Sequence, residues 1–353
     1  MDIADPDAPP RYAPPEIPIR PGWLAMRREP VLEPGLPIVD AHHHLWDRPG
    51  QRYLFDELRA DLQTGHNVLA TVYVQCRSMY RCDGPAAMRP VGETEFANGI
   101  GAQSASKLYG RLRACAGIVA YADLSLGAAV RPVLQAHLNA APQRLRGIRC
   151  MTAAHASPHI QPNSGKVPEH LLMAPRFREG FAELAPLGLS YDAWAFHTQL
   201  HEVLDLARAF PQTVIVVDHA GGPLGIGPYA GRRDAVYAHW HAAMRALAAC
   251  PNVNVKLGGL AMHFSGLDFH LLAEPPDSRQ LAHAWRPYVE ACIELFGAGR
   301  CMFESNFSVD KGMLSYPVLW NAFKRLAAHC SAEEKAQLFA GTARRVYRLP
   351  LQP

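Results

Sequence analysis

The sequence predicts an α/β protein, a (β/α)8 TIM barrel preceded by a proline-rich N-terminal arm. Three observations carry this reading. Eight short apolar, β-prone runs follow residue 37, and longer amphipathic stretches alternate with them. Several runs, such as VIVVD and NVNVKL, are apolar without alternation, as strands covered on both faces are. Alternation of strand and helix implies a parallel sheet, and eight units in one chain of 353 residues suit a closed barrel. An open doubly wound sheet is the alternative, but it calls for a glycine-rich phosphate turn after the first strand, where this chain has three consecutive histidines, His42, His43 and His44.

In chain order, residues 1–36 hold many of the prolines and little periodicity. They read as an extended arm that packs on a body or embraces a second copy in a homo-oligomer. Residues 37–353 form the barrel. Its expected strands are 38–42, 68–75, 116–121, 145–150, 189–195, 213–218, 253–257 and 301–305, with helical patterns at 200–210, 234–250, 281–296 and 318–330. Two excursions are long, 77–110 after strand 2 and 155–176 after strand 4. In a barrel both lie on the C-terminal face, where they suit lids or substrate-binding loops.

Composition excludes several classes. At 49% hydrophobic and 19% charged, the chain has the material for a large core. A net charge of +3, from 35 basic and 32 acidic residues without a block of either sign, gives no footprint for nucleic acid or an anionic membrane. The N-terminus is acidic and proline-rich where a signal peptide is basic and apolar, and no apolar run approaches the ~20 residues of a membrane span. Eight scattered cysteines without a CxxC pair read as reduced thiols of a cytoplasmic protein.

Histidine, at 17 residues, is the type to follow. His42 and His44 end strand 1, and alternation turns them to one face, where two imidazoles can hold a metal ion or a substrate oxygen. His197 follows strand 5 and His219 follows strand 6, so imidazoles from three strands ring one mouth. Arg149 ends strand 4 and Lys256 lies in strand 7; either suits a substrate carboxylate or a stapling ion pair. Gln75 and Arg77, at the end of strand 2, are further substrate-binding candidates. Trp46, Tyr80 and Phe96 suit an aromatic wall or ordinary packing, and Glu93 and Glu95 favour solvent. Strand 8 runs into Phe303-Glu304-Ser305-Asn306-Phe307. If Asn306 points into the mouth, Glu304 lies one layer deeper, desolvated and in need of a partner such as Lys256.

The stretches Val39-Asp-Ala-His-His-His-Leu-Trp46, Leu145-Arg-Gly-Ile-Arg149, Val217-Asp-His-Ala-Gly-Gly-Pro223 and Phe303-Glu-Ser-Asn-Phe307 resemble the amidohydrolase superfamily, and within it the amidohydrolase-2 branch of lactonases and related decarboxylases. The resemblance implies a barrel that attacks a carbonyl or lactone of a small-molecule substrate with activated water. His42 and His44 match the strand 1 pair, His219 the strand 6 histidine, and His197 falls where metal-dependent members carry a ligand. It also implies either a divalent ion, zinc or manganese, or a metal-free site built from the same histidines and arginines. One departure stands out: the branch usually reads Gly-Ser/Thr-Asp-Trp-Pro in strand 8, and here the position of the aspartate general base is Asn306. An amide accepts no proton near neutral pH, so Glu304, Asp310 or a histidine must serve as base. The reading is therefore a hydrolase of a small carboxylated lactone or cyclic ester. Amide hydrolysis, decarboxylation or hydration on the same scaffold are alternatives, as is a non-catalytic barrel that has lost its strand 8 acid.

Overall fold

The computed structural model describes residues 17–106, 108–160 and 167–350. Eight parallel strands follow one another around a single sheet: β1 (Pro37–His43), β2 (Asn67–Val74), β3 (Arg113–Ala120), β4 (Leu145–Ile148), β5 (Ser190–Ala193), β6 (Ile215–Val217), β7 (Val253–Leu257) and β8 (Cys301–Phe303). Each expected strand is present. After each comes an outer helix: α1 (Phe55–Leu62), α2 (Val91–Ala105), α3 (Arg131–Ala140), α4 (Pro175–Ala182), α5 (Leu200–Ala209), α6 (Arg233–Ala248), α7 (Ser278–Phe296) and α8 (Tyr316–Leu326), the last followed by two short helices, Ala332–Ala336 and Thr342–Val346.

The barrel closes between β1 and the end of β8. Asn306 N donates to His42 O (2.9 Å) and His44 N to Phe307 O (2.6 Å). Below this seam, buried Asp40 accepts Ser305 N (2.8 Å) and Tyr316 OH (3.0 Å), so one side chain ties β1, the end of β8 and α8 together.

Two apolar layers hold the rest. Strand residues such as Ile38, Tyr73, Ile118, Tyr191 and Val255 pack outward on the helices. Val39, Val72, Val119, Val216 and Met302 fill the interior, together with Val346, Tyr347 and Leu349 from the C-terminal segment. Tyr347 donates to the buried Asp192 Oδ2 (2.7 Å), so this end of the barrel is plugged and the opposite, C-terminal face is left for the site.

The excursion after β2 is less irregular than its sequence suggests, because the 15 residues of α2 lie within it and pack on β3. Glu93, expected in solvent, is buried; its Oε1 accepts Cys76 N (2.7 Å), Ser78 N (3.1 Å) and Tyr73 OH (2.9 Å), fixing the end of β2. Among its described residues the segment after β4 keeps no helix or strand before the turn Leu171–Met173, and residues 161–166 of the expected loop lie outside the described residues.

Residues 17–36 of the arm run along the chain's own barrel; residues 1–16 lie outside the described residues. Asn321 of α8, fully buried, accepts Leu32 N (2.9 Å) and donates to Pro30 O (2.9 Å) and Glu29 Oε2 (3.1 Å). Lys324 donates to Leu32 O and Glu33 O. Replacing Asn321 by Ala strips three bonds and leaves buried backbone groups unpaired, so Asn321→Ala is expected to cost about 1–3 kcal/mol. A urea midpoint equal to that of the parent protein would contradict this docking.

Candidate active site

Each strand delivers its last residues to the C-terminal mouth. β1 brings His42 and His44; beyond β2 comes Gln75, beyond β4 Arg149, beyond β6 Asp218 and His219, and beyond β8 Glu304 and Asn306. β5 and β7 place Asp192 and Lys256 one layer below. All of these are buried; Arg149 and His219 are 3% exposed and His44 4%.

The deepest layer is ionic. Lys256 Nζ lies 2.6 Å from Asp192 Oδ2 and 3.0 Å from Asp218 Oδ1. Burial pushes the Asp218 carboxyl up, but Lys256, His219 and Arg149 outweigh it and hold it below the usual carboxylate range. Burial likewise pushes Lys256 down, and the carboxylates of Asp192, Asp218 and Glu304 carry it above the usual lysine value. Lys256 is therefore a structural cation inside the barrel rather than a group open to substrate. Arg149 sits above it, with Nη1 3.4 Å from Asp218 Oδ2 and Nη2 donating to Gln75 O (2.5 Å).

A chain of imidazoles rests on this layer. His44 Nδ1 lies 2.8 Å from Val74 O, which can only accept, so the ring carries its proton there and presents Nε2 as a lone pair. His42 Nε2 stands 3.2 Å from that lone pair, and His42 Nδ1 stands 3.2 Å from Lys256 Nζ. Arg149 Nη1 also stands 3.2 Å from His42 Nε2; like Lys256 it can only donate, so the neutral ring accepts from one of the two cations and turns its proton either to Glu304 Oε2 at Nδ1 or to His44 at Nε2. Burial, aided by Lys256 and the neighbouring rings at His42 and by Arg149 at His44, pushes both well below the ordinary histidine range. Both rings are neutral.

Glu304 meets two histidines, as the depth read from strand alternation requires, but its partners are imidazoles rather than Lys256. Oε1 accepts both the backbone N–H (3.1 Å) and the Nδ1–H (2.7 Å) of His219, and Oε2 lies 2.8 Å from His42 Nδ1. His219 consequently carries a proton on Nδ1, and Nε2 is the ring nitrogen left outside the bond to Glu304. The ring packs edge-on against Trp194 (4.8 Å between centroids) and tilts over His42 (4.7 Å). It opens onto a narrow cleft lined by Trp194, Gly222, Gly259, Met262 and Phe264.

Backbone geometry serves this pair. His219 is left-handed (φ 55°). After β7 the chain passes so close that a Cβ at Gly258 would meet Glu304 Cγ at 2.4 Å, and one at Gly259, itself at φ +62°, would meet His219 Nδ1 at 2.3 Å.

The remaining candidates stand apart from the imidazole chain. Asn306 donates from Nδ2 to Asp310 Oδ1 (2.9 Å), and Asp310 Oδ2 accepts Ala261 N (3.3 Å). Burial pushes the Asp310 carboxyl well above the usual range, behind Asn306. His197 is not brought to the cluster. Its Nδ1 accepts Leu224 N (3.3 Å) and its ring packs on Tyr229 and His239, because the chain turns away from the mouth at the end of β5. Trp46 stacks on His44 (5.8 Å), with Arg48 over its other face (3.9 Å), and so backs the histidine. Arg77 lies beyond the mouth, where its charge acts on Tyr80, Tyr121 and Cys150. Asp192 and Asp218 are site groups that motif reading passed over. Their signal is a carboxylate inside an apolar strand of the same barrel as a buried lysine.

Two lone-pair positions facing one point fit a divalent cation: the gap between His42 Nε2 and His44 Nε2 holds either one shared proton or one ion, and Val74 O orients the His44 ring from behind. Donor atoms of His42, Asp218 and His219 also lie within 4.8 Å of one another.

A closed parallel barrel with neutral imidazoles, a carboxylate-paired histidine and a buried arginine gathered at its C-terminal face has its polar site where (β/α)8 enzymes place theirs. The chain matches the amidohydrolase model Amidohydro_2 over residues 39–349 and belongs to that family. An uncharacterized protein of Sinorhizobium fredii is 31% identical over 88% of this chain and 98% of that protein. An L-fucono-1,5-lactonase of Burkholderia multivorans is 33% identical over 49% of this chain and 56% of that enzyme. A crystal structure of a Burkholderia multivorans amidohydrolase with bound zinc superposes with a TM-score of 0.69 at 26% identity, covering 89% of this chain and 99% of that one. Hydrolysis or related amidohydrolase chemistry is therefore the activity class, and no helix of the described residues is long and apolar enough to cross a membrane.

If Gly259 holds room for His219, Gly259→Ala displaces the ring while leaving the barrel folded. A loss of about 100-fold in kcat/KM is expected from a misplacement of ~1 Å. Unchanged turnover, with an unchanged circular dichroism spectrum, would remove the glycine from the account.

Proposed function

We propose that the enzyme hydrolyses a small lactone or cyclic ester carrying carboxylate or hydroxyl groups, with His219 as general base. The observation that carries this reading is the Glu304–His219 pair, which takes up Nδ1 and leaves Nε2 as the nitrogen of a cleft-lining ring that can serve as base. Nε2 takes a proton from water as the hydroxide oxygen attacks the lactone carbonyl carbon. Arg149, buried at the end of β4, stabilises the oxyanion. The C–O ring bond then breaks, and the leaving alkoxide receives the proton from His219, giving a hydroxy acid. Glu304 accepts from Nδ1 throughout and steadies the imidazolium. Asn306 and Asp310 supply polar contacts rather than the base, and Gln75 Oε1, buried without a hydrogen-bond partner among the described residues, suits a substrate hydroxyl.

His42 and His44 would hold a divalent ion through their Nε2 atoms; zinc suits an imidazole pair better than manganese. When bound, such an ion polarises the carbonyl and acidifies water. The half-length similarity to L-fucono-1,5-lactonase supports a lactone substrate, and the eight free thiols support a cytoplasmic setting.

The test is a panel of 1,4- and 1,5-lactones of sugar acids and carboxylated pyrones, followed by acid release. We expect turnover of at least one lactone and a loss of about 10²–10⁴ in kcat for His219→Asn. Decarboxylation of aromatic acids with no lactone opened would sink the assignment.

A further inference from the structure

A second set of donors stands away from the mouth, on the outer rim. Helix α5 opens with Leu200-His201-Glu202, and the segment between β4 and α4 brings His170 against it. Ligand atoms of His170, His201 and Glu202 all lie within 4.8 Å of one another. Glu202 Oε1 is 2.9 Å from His170 Nδ1, on a side chain that is 69% exposed. Glu202 itself is only 1% exposed, and its other oxygen, Oε2, has no hydrogen-bond partner among the described residues. An unpaired carboxylate oxygen at that depth is costly, and a cation shared with the two imidazoles satisfies it. Catalysis as derived above gives these three residues no role.

We propose that His170, His201 and Glu202 form a second metal site, for a divalent ion of the zinc, cobalt or nickel class. Two imidazoles and one carboxylate are the ligands such ions prefer over calcium or magnesium, and three protein ligands leave one position for water at the exposed side. The positive end of α5 opposes a cation, and the charge of Glu202 offsets it. The position gives the ion a purpose. Gln199, just before α5, already clasps the start of the β4–α4 segment, accepting Ala154 N (2.9 Å) and donating to Thr152 O (2.9 Å). A metal at His170 fastens the same segment to the same helix at its far end. The segment beside the mouth is then held at both ends.

The experiment uses the chelated full-length chain carrying His42→Ala, which removes the donor common to the His42–His44 and His42–Asp218–His219 sets at the mouth, and reads cobalt(II) uptake and zinc-dependent melting rather than activity. His42→Ala is expected to bind one cobalt(II) equivalent with the visible absorption of a four- or five-coordinate ion, and zinc should raise its thermal midpoint. Adding His170→Ala or His201→Ala should weaken cobalt(II) binding at least tenfold and abolish the zinc response. Glu202→Gln, which preserves shape, should behave the same way. Uptake and melting unaffected by these changes, or no uptake by His42→Ala, would overturn the site.

Discussion

The hydrogen bonds from His219 to Glu304 constrain the rest of the mouth. A carboxylate inside a barrel is desolvated, and this one is stabilised by two N–H groups of a single residue, the main-chain and ring donors of His219. To offer both, His219 takes a left-handed backbone, and the facing turn after β7 gives up two side chains at Gly258 and Gly259. The strain and the empty volume make sense together once that pair is fixed. Where the family usually has an aspartate this chain has Asn306, and a carboxylate two residues earlier, on the same strand face and one layer down. In our reading the acid has become a support, and the proton-accepting role has passed to the imidazole above it.

Burial, reinforced by the cations beside them, keeps His42 and His44 neutral. Asp192, Asp218 and Glu304 face Lys256 and Arg149, so positive charge is already supplied on both sides of His42. Protonating His42 or His44 would add a third cation to a site closed to water, and both rings instead keep a single proton, that of His44 held on Val74 O. One negative charge remains in excess among these five groups. A bound cation, an imidazolium formed during turnover or an electron-poor carbonyl would each be welcome there.

Much of this was legible in the sequence. The eight strands follow from apolar runs too uniform for amphipathic helices, and His42 with His44 follows from strand alternation. The depth of Glu304 follows from its spacing to Asn306. Other features were hidden for identifiable reasons. Asp192 and Lys256 are single charges in different strands, and only closure of the sheet makes them neighbours. His197 follows a strand as His219 does, yet the direction of the next turn, which sequence does not encode locally, sends it to Tyr229 and His239. Helix α2 was obscured because its apolar residues form no single stripe and Gly99 and Gly101 interrupt it. Glu93 looked solvated until the three donors around its carboxylate came together.

The central claim is that Glu304 fixes the His219 tautomer. Nitrogen-15 imidazole shifts of the histidine-labelled protein, with His219 assigned by its loss in His219→Asn, test it most directly. The account predicts a neutral His219 ring protonated at Nδ1 with Nε2 free, and loss of that single tautomer in Glu304→Gln. A His219 protonated at Nε2, or a tautomer unchanged by Glu304→Gln, would contradict it.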